Sequence, residues 1–155
     1  MEKLFDLILK NRSILHNHLQ NTPKEKLFEI PEGFNNNIWW NIAHIVVSEQ
    51  LLVYGLSGQP LIAPEDLVEK YRKGTKPNGI PSDAEIELVS ELMFSLPKKT
   101  AEDYKAGVFG SFKPYATSLK IELNSVEDAV TYDLLHEGIH LGTITALKKV
   151  LERDS

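Results

Sequence analysis

The sequence predicts an all-α fold, a four-helix bundle with long connections after its second and third helices. Four segments carry apolar residues at helical spacing. No segment reads as a confident strand, and breaks containing proline and glycine separate the helices. The 155 residues suit one domain over residues 1–155, long enough to bury a sizeable core. Four substantial helices with no sheet pack as an antiparallel-type bundle.

Helix by helix, the pattern is as follows. Residues 2–20 form the first helix. Leu4, Leu7, Ile8, Leu15 and Leu19 make its stripe, and Glu2, Lys3, Lys10 and Arg12 fall mostly outside it. His16 and His18 lie in its last turns, where a cationic imidazole suits the helix C-terminus, so both read as solvated. Asn21-Thr22-Pro23 stops it. The second helix starts after a cap at Asn35 or Asn36 and runs from Ile38 to about Tyr54. It is apolar around most of its circumference and should be buried on more than one side. Residues 58–81 are a long connection, with a short helix from Pro64 to about Arg72. Ser82-Asp83-Ala84-Glu85 is a capping box that opens the third helix. Ile86, Val89, Met93 and Leu96 form its stripe, and Pro97 kinks or ends it, with room for a last helical turn to Tyr104. Residues 105–124 give no element. Asn124 or Ser125 opens the fourth helix, which runs to about Leu151.

The composition narrows the function. A net charge of −5 argues against a nucleic-acid-binding face. There is no cysteine, which excludes disulfides, thiolate ligands and a cysteine nucleophile. Residues 1–20 carry charges throughout and no apolar run reaches membrane-spanning length, so a cytoplasmic protein without membrane or nucleic-acid partners is expected.

Chemistry is concentrated in Leu135-His136-Glu137-Gly138-Ile139-His140-Leu141. On a helix, His136 and His140 project from one face, one turn apart, and can hold one divalent ion. Glu137 lies about 100° round from His136, close enough to reach a metal-bound water. The letters match H-E-x-x-H, the metalloprotease helix signature. The known zincin patterns need a further ligand downstream. The six-residue position here is Ala146, so a third ligand must come from upstream. His44 is the internal histidine available, at the midpoint of the second helix. Three histidines from two helices leave an open coordination position, the usual form of a catalytic site. The competing reading is a hydrogen-bonded core histidine at 44, with one packed and one solvated histidine on the fourth helix. Gly138 and Gly142 face away from the pair, and each costs about 1 kcal/mol relative to alanine in a helix. A tight approach there by a neighbouring helix, or by a second subunit in a homodimer, would account for them.

The run Phe34-Asn35-Asn36-Asn37-Ile38-Trp39-Trp40-Asn41-Ile42-Ala43-His44-Ile45-Val46 resembles the second-helix signature of the DinB-like (DinB/YfiT) superfamily. Leu52 to Gly58, Gly74 to Pro77 and His136 to Gly142 resemble further segments of one branch, in order along nearly the whole chain. The resemblance implies up-down-down-up topology, with the 58–81 connection letting the second and third helices lie parallel. It implies a zinc or nickel ion held by three histidines, which by position are His44, His136 and His140. Some members are transferases that use bacillithiol, mycothiol or glutathione.

Two chemistries compete for the open position, each with a small-molecule substrate. A hydroxide gives a hydrolase with Glu137 as general base. A substrate thiolate gives an S-transferase, with Glu137 and Asp133 in supporting roles. A metal- or ligand-binding stress protein without turnover is a third reading. The transferase is preferred, because a zinc-type ion with neutral ligands binds thiolate well.

Overall fold

The structure, a computed structural model, describes residues 1–153. Helix α1 spans Glu2–Asn21 and the short α2 spans Lys24–Phe28. Helix α3, Ile38–Glu49, runs directly into a π-helical segment, Gln50–Gly55. Helix α4 is Glu65–Tyr71 and α5 is Asp83–Lys105. A two-stranded hairpin pairs β1, Tyr115–Ala116, antiparallel with β2, Glu122–Leu123, and α6, Val126–Arg153, follows. The chain is predominantly helical, as the periodicity predicts, with the hairpin added in the 105–124 segment. No helix among the described residues is long and apolar enough to cross a membrane.

Packing follows from the apolar stripes. Helix α1 lies against α5 and α6, and α3 lies against α6 and α5. All twelve residues of α3 are buried, which its all-round apolar composition requires. Its N-cap is Asn37, one position beyond the expected Asn35 or Asn36, and the Asn37 side chain accepts from the Trp40 N–H at 2.8 Å. Ser82 accepts from the Glu85 N–H at the start of α5, as the capping box predicts. Ser125 caps α6, accepting from the Asp128 N–H, while Asp128 accepts from the Asn124 N–H.

Two helices differ in detail from the periodicity reading. Helix α5 continues past Pro97 to Lys105, one residue beyond a last turn to Tyr104. The turn beyond Pro97 is held by tertiary bonds: Thr100 donates to Glu49 at 2.7 Å, and Asp103 accepts from the Tyr54 hydroxyl at 2.6 Å. These offset the backbone bond that a proline removes. The second difference is α2, a five-residue helix after Pro23 that is too short to show a period. Gly138 and Gly142 are exposed, and apart from the adjoining backbone of their own helix no described atom lies within 4 Å of a Cβ built on either. No neighbouring helix approaches them, so the expected intrachain contact is absent.

The largest departure is Arg12. It is fully buried, on the same face as Phe5, Ile8, Leu15 and Leu19. Its Nε donates to Glu137 Oε1 at 2.5 Å and its Nη2 to Glu49 Oε2 at 3.1 Å. Burial opposes the guanidinium charge, but Glu137 and Glu49 outweigh it and raise the Arg12 pKa. Burial also raises Glu49 and Glu137, with Arg12 pulling both back down. One side chain of α1 thereby ties together α3 and α6. Removing one member of a buried ion cluster leaves uncompensated charge and costs about 3–5 kcal/mol. Arg12→Met is therefore expected to lower the unfolding free energy by about that amount in urea titrations. A loss below about 1 kcal/mol would show that the cluster is not what joins the helices.

Candidate metal centre

His44 sits on α3 and His136 and His140 on α6, two helices packed against each other. The three side chains converge. Ring centroids lie 5.1 Å apart for His44–His136, 4.8 Å for His44–His140 and 4.5 Å for His136–His140. One nitrogen from each ring can be chosen so that all three lie within 4.8 Å of one another, close enough to hold one metal ion. The Nε2 atoms of His136 and His140 are 3.1 Å apart. Two nitrogens bound to a tetrahedral zinc-type ion, each about 2.0–2.1 Å from it, stand roughly 3.3 Å apart. The donor set fits such an ion.

Two of the three outer nitrogens are pinned by hydrogen bonds, while His136 Nδ1 is buried without a partner. His44 Nδ1 lies 2.7 Å from the Tyr71 carbonyl, at the end of α4. A carbonyl only accepts, so this nitrogen carries the proton and Nε2 presents its lone pair. His140 Nδ1 lies 2.7 Å from Asn41 Oδ1. Asn41 spends its amide N–H groups on the Asn37 carbonyl and Asn36 Oδ1, so its oxygen faces the histidine and accepts. The Nε2 of His140 is therefore also a lone pair, and it points at His136. The two Nε2 atoms, 3.1 Å apart, are compatible with a proton on His136 Nε2 donated to His140 or with a cation between them.

Further contacts hold the rings in place. Trp40 stacks on His44, with centroids 4.5 Å apart and planes 11° from parallel. Tyr71, whose carbonyl receives His44, is itself fastened. Its hydroxyl donates to Glu85 at 2.5 Å and accepts from Trp39 Nε1 at 2.7 Å. Burial lowers the pKa of all three histidines. His136 falls to about 3, with the neighbouring His140 and His44 adding to the effect, and His140 falls to about 4, with His44 adding. The site is thus a set of neutral imidazoles at neutral pH.

A cavity of about 490 Å³ opens beside the three histidines. Leu51, Leu52 and Leu56 of the π-helical segment and the turn after it form one wall. The hairpin covers another side through Tyr115, Thr117 and Leu119. Ser48 reaches His44 Nε2 at 3.3 Å. Among the described residues no carboxylate lines the cavity.

The other candidate residues lie elsewhere. Glu137 has no exposure and does not line the cavity; its Oε1 belongs to Arg12 and its Oε2 has no partner. Asp133 is also fully buried, with neither oxygen hydrogen-bonded, and burial together with Glu137 and Glu49 pushes its pKa well above the ordinary value. His16 packs edge-on against Phe94, outside the cluster. Arg12, Glu49 and Tyr71 are the residues that sequence reasoning missed. Arg12 was legible in one respect: it stands four residues after Ile8 and three before Leu15, in step with the buried stripe.

Alanine at His44, His136 or His140 is expected to reduce bound divalent metal severely in elemental analysis, and alanine at His16 or His18 to leave it unchanged. Full metal content in His44→Ala would exclude the three-histidine site. Asn41→Ala, which removes only the acceptor for His140, should weaken metal affinity about 10–100-fold.

Protons compete weakly here because the lowered pKa values keep the imidazoles neutral as pH falls. Zinc affinity measured calorimetrically should change less than about threefold between pH 8 and pH 6. Three imidazoles titrating at their ordinary value would lose about sixtyfold over that range. A loss of that size would mean that the rings are not held neutral.

No curated protein matches the chain. The family model described as the DinB superfamily matches residues 7–144, a span that includes all three histidines, the Arg12 cluster and most of every long helix. The chain belongs to the DinB superfamily.

Proposed function

We propose that this protein is a metal-dependent S-transferase that joins a low-molecular-weight thiol to a small electrophile. It would work as one four-helix-bundle domain of up-down-down-up topology, in the cytoplasm, with zinc or nickel. The observation that carries the reading is the cavity wall. Three neutral imidazoles, a lysine and mainly apolar side chains face it, with no carboxylate among the described residues to serve as a base. A divalent ion held by His44, His136 and His140 supplies a positive centre that lowers the pKa of a thiol and favours release of its proton.

The chain's own residues do the rest. Tyr71 and Asn41 hold two imidazoles with Nε2 turned inward. Leu51, Leu52 and Leu56 exclude water from one side, which keeps the sulfur poorly solvated and reactive. The thiol loses its proton to solvent, its sulfur forms a bond to an electrophilic carbon, and the leaving group departs with the electron pair.

Hydrolysis would need Glu137 to take a proton from water. That carboxylate is buried against Arg12 and does not face the cavity, which favours transfer. A non-catalytic binding protein would use the same histidines, and turnover separates it from the enzyme.

Protein loaded with zinc or nickel should consume bacillithiol, glutathione, mycothiol or cysteine in the presence of a chlorobimane dye, faster than the metal-free control. Glu137→Gln protein that retains its metal should lose less than about tenfold, whereas removal of a general base costs about 10²–10⁴-fold. Ester or amide cleavage that depends on Glu137, without thiol consumption, would replace this reading with the hydrolase.

A further inference from the structure

Among the described residues the cavity carries one charged side chain, Lys73, beside three neutral histidines. Its neighbours are paired: Lys70 with Glu85 and Arg72 with Glu69. Lys73 has no hydrogen bond or ion pair among the described residues. It stands two residues after Tyr71, whose carbonyl fixes His44, so the same short segment sets both the imidazole and the lysine. Gly74 follows with a φ of +91°, a conformation that turns the chain sharply just beyond Lys73 and suits glycine alone.

The charge balance of the wall is one-sided. The whole chain is net −5, yet among the described residues this cavity shows a lysine and three ligand-type histidines and no acidic residue. Its remaining surface is largely apolar. Ile139 and Leu119 are 46% and 51% exposed at its edge, a cost that an apolar ligand would offset. A pocket of this volume takes a small organic molecule, and its few polar groups set orientation.

We propose that the molecule held at the histidine centre is an amphipathic anion, with an apolar body against Leu51, Leu52 and Ile139 and a carboxylate or similar group paired with Lys73. The inference rests on the thiol-transferase reading for what occupies the metal end, and adds that the bound thiol carries a second, remote anionic group. Lys73 is then a specificity residue.

Two measurements on the 155-residue chain test it separately from that reading. The first uses protein without added metal, so that no ion competes for the carboxylate. Alkanoates and alkanols of equal chain length displace the fluorophore anilinonaphthalene sulfonate. At the best-fitting length the alkanoate should compete about tenfold better, and Lys73→Gln should remove the difference. Equal competition by acid and alcohol, or an acid preference that survives Lys73→Gln, overturns the inference. The second uses cobalt-loaded protein and follows the sulfur-to-cobalt absorption band as ω-mercaptoalkanoates and ω-mercaptoalkanols are added. No band with any thiol would sink the thiol reading while leaving the first measurement to decide Lys73. A band with both series but no advantage for the acids would overturn the role of Lys73 and spare the thiol reading.

Discussion

A guanidinium with no exposed surface bridges carboxylates on two different helices, and those helices carry the three histidines. Arg12 reaches Glu137, next to His136 in α6, and Glu49, five residues beyond His44 in α3. Placing these charges in the interior is costly, and only their mutual pairing makes it tolerable. The pairing sets where α1, α3 and α6 stand relative to one another. Thr100 adds α5 through its bond to Glu49. Much of the site's geometry follows from that arrangement, since imidazoles on separate helices converge only if the helices cannot slide.

A second layer of constraint acts on the rings themselves. Packing alone would leave either ring nitrogen free to face the cavity. The Tyr71 carbonyl and the Asn41 oxygen remove that freedom by accepting from Nδ1. Each acceptor is itself committed: Asn41 by its amide donors, Tyr71 by Trp39 and Glu85. These chains of bonds run outward from the site into α4, α5 and the Asn36–Asn37 cap. The burial that lowers the histidine pKa values then keeps the inward nitrogens unprotonated, as a metal ligand must be.

The cavity owes its character to an irregular stretch. Where α3 passes into the π-helical segment Gln50–Gly55, the wider turn carries Leu51 and Leu52 into the cavity wall. Insertions of this kind recur near functional sites because they redirect side chains without breaking the helix. Gln50 anchors the segment, accepting from the Ile62 N–H at 2.8 Å. The hairpin Tyr115–Leu123 closes the opposite side, so an apolar chamber forms over a polar, neutral base.

By itself the sequence determined the long helices and singled out the three histidines that the structure brings together. Long periodic segments reported α1, α3, α5 and α6, because amphipathic spacing is a local property of the chain. The His136/His140 spacing is likewise local, since one turn of helix brings the two together wherever that helix goes. His44 entered as the remaining internal histidine on an apolar helix. What only the tertiary structure decided was which polar groups meet. Arg12 scanned as a charge beside an apolar stripe, and Glu137 as a companion of the histidines. Whether a buried charge faces solvent, metal or another charge depends on residues far apart in sequence: position 12 against positions 49 and 137. The same holds for Asn41 with His140 and for Tyr71 with His44. Hydrogen bonds and ion pairs act over a few ångströms of space, and spacing along the chain does not encode which distant groups will share that space.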